Sequence, residues 1–175
     1  MIKTVSTERT IEAPVELVYA RLAAIDRHLE WDETASRAEP MTEDNTTGVG
    51  AEWKVYERFS LMHAITGDGD EREKQGTALS KRTLKELVPN ERVVWTTHTL
   101  PNLGVSATLA WTLSAEGHST RASVDVSLSV PTVVEKVGRV MFRHLDTKFE
   151  VQLNTAIDKL KAVSEAEFAK MAVAV

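Results

Sequence analysis

The sequence contains no cysteine, which excludes disulfide bonds, a thiolate nucleophile and a cysteine-ligated zinc or iron–sulfur site in this chain. Glycine and proline are scarce, at 8 and 5 of 175 residues, and there is no internal repeat or low-complexity segment. No run reaches the roughly 18 apolar residues of a membrane helix, and the N-terminus lacks the apolar core of a signal peptide. We therefore expect a cytoplasmic protein without membrane insertion.

Basic residues are also in deficit, since 21 Lys and Arg stand against 26 Asp and Glu, for a formal charge of −5. Without a basic field to attract phosphates, nucleic acid is not expected as a partner. The apolar and charged fractions, 42% and 27%, are those of an ordinary globular protein. The length predicts one domain over residues 1–175, large enough to bury a core.

Two short helices are predicted after a first strand at residues 2–12. Pro14 suits the first turn of a helix, where the N–H that it lacks would have no partner anyway. Residues 26–31 predict a second short helical turn. One face of the first helix is apolar: Val15, Val18, Tyr19, Leu22 and Ile25.

The middle of the chain, from about residue 34 to 130, predicts antiparallel strands. The clearest runs alternate strictly between apolar residues and Ser, Thr, Arg or Asp, so one face of each strand is buried and the other is wet. Polar turns separate them, "VPN" at 88–90 and "AEGHS" at 115–119. The predicted strands are 51–59, 76–87, 91–100, 105–113 and 120–130, with a further strand before them.

The remainder predicts one long C-terminal helix, about 131–163, followed by a short tail, 164–175. Its apolar stripe must pack against the sheet, the one large partner available. We therefore predict an α+β fold in which a curved antiparallel sheet of about six to seven strands wraps around this helix. Such a sheet leaves a cavity for a small apolar ligand. The stripe comprises Val134, Val137, Met141, Leu145, Phe149, Leu153, Ile157 and Leu160.

The order of elements and several short motifs resemble the START-like, or polyketide cyclase/dehydrase-like, superfamily of helix-grip (Bet v 1-like) proteins. The nearest group is its small bacterial polyketide cyclase-type members, and the resemblance covers nearly the whole chain. The motifs are Ile11, Ala13 and Pro14, then Val18 and Tyr19, then Asp26 and Trp31, then Gly48 and Gly50 before a strand.

The resemblance implies a helix-grip fold with a hydrophobic, cyclic or polyketide- or lipid-like ligand between sheet and helix. It leaves the reaction open, because relatives use this fold for different purposes. Three functions are therefore expected as alternatives: cyclase or dehydratase acid–base chemistry without a cofactor, non-enzymatic carriage or sensing of a hydrophobic ligand, and a co-chaperone-like interaction module. We expect a monomer or homodimer.

The segment "DRHLEWDETASR", residues 26–37, concentrates a histidine and acidic residues around a tryptophan. His28, Glu30 and Asp32 are two apart, a spacing that suits a strand and not the predicted helical turn, so we predict no metal site. We interpret the segment as the rim of the cavity, with Trp31 turned inward and the acidic residues solvated.

Candidate proton carriers are Glu57, His98 and His144. Glu57 alternates with apolar residues on one strand face, where it is either a catalytic group, half of a buried ion pair or an exposed edge residue. His98 faces the cavity only if Trp95 does not, and the sequence does not decide between them. His144 lies beside the apolar stripe of the long helix, where it either enters the cavity or packs at its border.

The large apolar residues of the strands and the long helix supply the candidate ligand contacts, and most of them are expected to be ordinary core. The segment 60–76 is longer and more charged than a hairpin requires, so it is either a lid or a solvated loop. The candidate ligand-binding residues are Trp31, Trp53, Phe59, Trp95, Trp111, Met141, Leu145 and Phe149.

Overall fold

Seven strands and three helical segments make up the computed structural model, which describes residues 2–57, 78–100, 104–132 and 145–173. The elements are β1 (Ile2–Ile11), α1 (Val15–Ala23), the 3₁₀ helix (Ile25–Glu30), β2 (Ala35–Pro40), β3 (Glu52–Glu57), β4 (Ala78–Val88), β5 (Arg92–Leu100), β6 (Val105–Glu116), β7 (Ser119–Ser129) and α2 (Leu145–Val173).

All seven strands form one antiparallel sheet in the order β1-β7-β6-β5-β4-β3-β2. Strands β2 to β7 form a meander, and β1 closes the far edge by pairing with β7. The predicted fold class, a curved antiparallel sheet with two short helices after the first strand and a long C-terminal helix, is confirmed.

Two predicted turns lie where the sequence places them. Asn90 adopts a left-handed conformation (φ 62°) between β4 and β5, and Gly117 does so (φ 67°) between β6 and β7. Asparagine and glycine are the residues that tolerate this region, so these turns fix the register of both hairpins.

The buried face of the sheet follows from the alternation of residues along its strands. In β7, Ala122, Val124, Val126 and Leu128 are buried, while the serines and charged residues between them face outward. The core is completed by the apolar face of α1 and by three residues of α2: Leu153, Ile157 and Leu160.

Helix α2 continues ten residues beyond its predicted end at 163, so the prediction of a short tail was wrong. The segment 164–173 contains no glycine or proline and consists largely of Ala, Glu, Lys and Met, which favour helix. The buried Ser164 and the partly buried Phe168 extend the stripe at a spacing of four residues beyond Leu160. The predicted start, about 131, falls beside residues outside the described ranges.

Candidate functional site

The described residues line a cavity of about 130 Å³ between the buried face of the sheet and α2. Three tryptophans line it: Trp31 from the end of the 3₁₀ helix, Trp95 from β5 and Trp111 from β6. The rings of Trp95 and Trp111 are stacked, with centroids 6.1 Å apart, and Trp31 meets Trp111 edge-on at 5.8 Å. Because an apolar cavity of about 150 Å³ holds benzene, the space suits a molecule built on a small ring system.

A group of polar side chains, called the polar end of the cavity below, lines the cavity beside the tryptophans and includes Asp32, Glu57 and Arg82. All three are buried, with exposed fractions of 9%, 7% and 4%. Charged groups are rarely buried unless they are paired. The partners of these three residues therefore define the chemistry of the site.

Arg82, on β4, lies at the centre of this polar end. Its Nη2 donates to Asp32 Oδ2 at 2.7 Å, and its Nη1 donates to Nδ1 of the buried His28 at 3.1 Å. Nη2 also forms a buried ion pair with Glu57 Oε1, but their separation of 3.7 Å is too long for a hydrogen bond. Glu57 Oε1 instead accepts a hydrogen bond from Ser80 Oγ at 2.7 Å.

The 3₁₀ helix and the turn after it fix both partners of Arg82. An arginine can only donate, so His28 accepts through Nδ1, and its Nε2–H donates to the Leu22 carbonyl oxygen at 2.9 Å. Asp32 Oδ1 accepts from the Thr34 backbone N–H at 3.0 Å and from the Thr34 hydroxyl at 2.5 Å. These bonds hold the imidazole and the carboxylate in place before any ligand arrives.

The environment moves the pKa values of the two carboxyls in opposite directions. Burial acts to raise the pKa of Asp32, but the charge of Arg82 and the hydrogen bonds from Thr34 and Arg82 outweigh it, so that pKa is lowered. Burial also raises the pKa of Glu57, and here Arg82 and Ser80 oppose it only in part, so the pKa stays raised. Burial first, and the charge of Arg82 second, lower the pKa of His28 to about 3.

The charges at the polar end follow from these shifts. Arg82 is positive, Asp32 is negative and His28 is neutral at physiological pH, so the first pair already balances. Glu57 is the second carboxyl beside a single cation, and burial keeps its pKa above the ordinary value for a glutamate. A buried carboxyl with a raised pKa at the wall of a cavity can act as a general acid or base near neutral pH.

The structure places four of the candidate residues at the cavity: Glu57, Trp31, Trp95 and Trp111. Trp53 is buried in the same core, but it is not among the described residues that line the cavity, and its indole N–H donates to the Thr46 carbonyl oxygen at 3.0 Å.

The remaining candidates lie away from the cavity or outside what the structure describes. Because Trp95 faces inward, His98 projects from the other face of β5 and is only partly buried. Leu145 and Phe149 belong to the first turns of α2, but their side chains are outside the described set. Phe59, Met141, His144 and the segment 60–76 lie outside the described residues.

Sequence reasoning missed Arg82, His28 and Asp32. The interpretation of the acidic residues in 26–37 as solvated fits the exposed Glu30 and Glu33, but it was wrong for Asp32, which is buried together with His28. Positions 28 and 32 are four apart, which is one helical turn, and that spacing could have placed both side chains on one inward face. No group of three His, Asp or Glu side chains in the described ranges is arranged to hold a metal ion.

The comparison with protein families gives the chain its class. Residues 11–154 match the family described as polyketide cyclase / dehydrase and lipid transport, so the chain belongs to this family. No curated protein matches the sequence significantly. None of the described helices combines the length and the apolar character that crossing a membrane requires.

Solved structures share the fold at low sequence identity. The Zhui aromatase/cyclase from Streptomyces sp. R1128 is 13% identical, with a TM-score of 0.68 over 94% of each chain. Norcoclaurine synthase from Thalictrum flavum is 12% identical, with a TM-score of 0.63 over 95% of this chain and 96% of that one. A hypothetical protein from Helicobacter pylori is 13% identical, with a TM-score of 0.65 over 93% and 88%. At these identities the likeness concerns the fold alone.

Proposed function

We propose that the protein binds a small, hydrophobic, ring-containing molecule in its cavity and that Glu57 exchanges a proton with it in a cyclase- or dehydratase-type reaction without a cofactor. The family and the aromatase/cyclase among the structural neighbours support this class of ligand and reaction. The three tryptophans supply flat apolar surfaces for a ring, and Glu57 lies at the polar end.

The observation that carries the proposal is the position of Glu57, buried at the cavity wall with only a hydroxyl within hydrogen-bonding distance among the described residues. As the acid, it would donate a proton to a carbonyl or a departing hydroxyl of the ligand. As the carboxylate, it would remove a proton from a carbon next to a carbonyl. Both steps need the carboxyl within hydrogen-bonding reach of the proton that moves and a pKa close to the working pH.

The test uses 5-nitrobenzisoxazole, a planar bicyclic probe of buried carboxylate bases. The carboxylate takes the proton from C3, the electrons of that C–H bond form the nitrile, and the ring N–O bond breaks to give 2-cyano-4-nitrophenolate, followed by absorbance. We expect the wild-type rate to rise with pH through the raised pKa of Glu57. Glu57→Gln should reduce kcat/KM by about tenfold or more.

The matched control is Glu52→Gln, which changes a carboxyl on the other face of the same strand, where Glu52 pairs with Lys81. This variant should keep the wild-type rate and pH profile. A folded Glu57→Gln protein with the wild-type rate would contradict the assignment of Glu57 as the proton carrier.

The second candidate function is non-enzymatic carriage or sensing of the same class of ligand, favoured by the predominantly apolar wall of Trp31, Trp95, Trp111, Leu109, Val126 and Leu153. Isothermal titration with indole separates the two. If indole binds equally to wild type and to Glu57→Gln, and the probe reaction does not depend on Glu57, the carrier function is supported and the enzymatic one is not.

A further inference from the structure

The polar end of the cavity contains three acceptor side chains around one guanidinium, and only two of them are hydrogen-bonded to it. We infer that Asp32 and His28 are positioning residues, which hold both terminal nitrogens of Arg82 and so keep the guanidinium from forming a hydrogen bond with the Glu57 carboxyl. This inference rests on the proposed function, because it concerns how Glu57 is kept ready for proton transfer.

The geometry shows that the hold on Arg82 is rigid. The His28 ring is fixed by its bond to the Leu22 carbonyl and by contact with two tryptophans, whose ring centroids lie 5.0 Å (Trp31) and 4.5 Å (Trp95) from its own. Asp32 is fixed through its other oxygen by two hydrogen bonds from Thr34. Arg82 therefore meets two acceptors that are already anchored, and each of them is closer to it than Glu57 is.

The charged groups around Glu57 are few in the described part of the chain. Strand β4 presents Ser80 and Arg82, the turn after the 3₁₀ helix presents Asp32, and α2 contributes the uncharged Gln152 to the same cavity. On β2, Ala35 is the residue opposite Glu57. The balance between Arg82 and Asp32 consequently determines how much positive charge Glu57 experiences.

Only a small movement of the Arg82 guanidinium would bring it into hydrogen-bonding distance of Glu57. The distance from Arg82 Nη2 to Glu57 Oε1 is 3.7 Å, and a shift of about 1 Å would make it a charge-assisted hydrogen bond. Loss of the acceptor at position 32 should permit that shift. Glu57 would then ionise at lower pH, so a smaller fraction of it would carry a proton to donate at the working pH.

The experiment is a carboxyl ¹³C NMR titration of the ligand-free protein, with the Glu57 signal assigned by its absence in Glu57→Gln. In Asp32→Asn the negative charge that raises the pKa of Glu57 is lost and the amide N–H₂ faces the donors of Arg82, so the guanidinium should also turn to Glu57; together these changes should lower the pKa of Glu57 by about one unit or more. His28→Leu, described below, removes an acceptor without removing a charge and so tests the turn of the guanidinium by itself. In Asp32→Asn/Arg82→Met the pKa should return to the wild-type value or above it. The control is Glu33→Gln, an exposed neighbour of Asp32, which should leave the pKa of Glu57 unchanged.

A second pair of variants separates positioning from general damage. His28→Asn keeps an acceptor for Arg82 and should preserve the pKa of Glu57, whereas His28→Leu removes the acceptor and should lower it. An unchanged or raised pKa in folded Asp32→Asn would overturn the inference. So would a wild-type titration in which Glu57 ionises below its ordinary value of 4.5, and that measurement requires no variant.

The titration is independent of turnover. If the pKa shifts are observed but the reaction of 5-nitrobenzisoxazole does not depend on Glu57, the positioning role is supported and the proposed enzymatic function is contradicted. Failure of the titration alone, with the reaction intact, would remove only the positioning role of Asp32 and His28.

Discussion

At the scale of single residues, His28 makes the stability of the site depend on pH. Its folded pKa, about 3, lies below the ordinary value of 6.5, so the unfolded chain binds more protons between these limits. The stabilising contribution of neutral His28 is therefore complete above about pH 6.5 and is lost as the pH falls towards 3. Acid should weaken the packing around Arg82 before it affects the rest of the sheet.

We predict that His28→Asn reduces the free energy of unfolding by about 1 to 3 kcal/mol at pH 8, because contacts with Trp31 and Trp95 are lost. The difference from wild type should shrink by about 2 kcal/mol at pH 5, since only wild type has a histidine that must stay neutral there. Urea unfolding at a series of pH values measures both. His118→Asn, in the exposed β6–β7 turn, controls for the loss of one histidine, and a gap that stays constant with pH would contradict the prediction.

Residue patterns predicted some members of the site and not others. The alternation in β3 places Glu57 on the face of Val55, and such a face can be identified from sequence alone. The role of Arg82 depends on strand register, in which Arg82 lies opposite Trp53 and Ser80 lies opposite Val55. Without that register, Arg82 in "LSKRTLKEL" is indistinguishable from a solvated charge.

At the scale of elements, an ionic cluster joins α1, the 3₁₀ helix and the end of α2. The buried Arg21 of α1 donates to the carboxylates of Glu30 and Glu167, and Arg27 adds bonds to the same two residues at 2.9 and 3.1 Å. The part of α2 beyond residue 163 therefore holds the short helices that carry His28 and precede Asp32.

We predict that Glu167→Gln lowers the free energy of unfolding by about 1 to 2 kcal/mol. The loss is smaller than the roughly 3–5 kcal/mol for a fully broken buried pair, because Glu30 still partners Arg21. Chemical denaturation at neutral pH measures the change. Glu150→Gln, on an exposed position of α2, is the control, and equal effects of the two variants would show that the cluster does not stabilise the fold.

Both the correct and the incorrect predictions of secondary structure follow from local patterns in the sequence. Strands with strict alternation and turns with asparagine or glycine were predicted correctly, because burial on one face and φ near +60° each restrict the residues allowed. The end of α2 was predicted too early because Ser164 interrupts an apolar stripe that Phe168 resumes. Because serine is polar, its sequence position alone does not indicate that it is buried or that the helix continues.

At the scale of the whole molecule, the order of elements was sufficient to predict the sheet, the helix against it and a cavity between them. It could not predict that the polar end would combine the 3₁₀ helix, β3 and β4, because those side-chain contacts join residues 23 to 54 positions apart in the chain. Long-range side-chain networks depend on register and on helix placement, whereas the topology depends mainly on patterning.

The cavity itself is the feature most directly tested at this scale. Ala107 of β6 contributes a small side chain to its wall, so Ala107→Ile should occupy part of the 130 Å³ with a residue well suited to a strand. We predict that this variant weakens indole binding at least tenfold, while its stability stays within about 1 kcal/mol of wild type because the added methyl groups fill existing space. Isothermal titration and thermal unfolding give the two readouts. Ala110→Ile makes the same change on the other face of β6 and should leave indole binding intact; a folded Ala107→Ile protein that binds indole as wild type does would show that the ligand does not occupy this cavity.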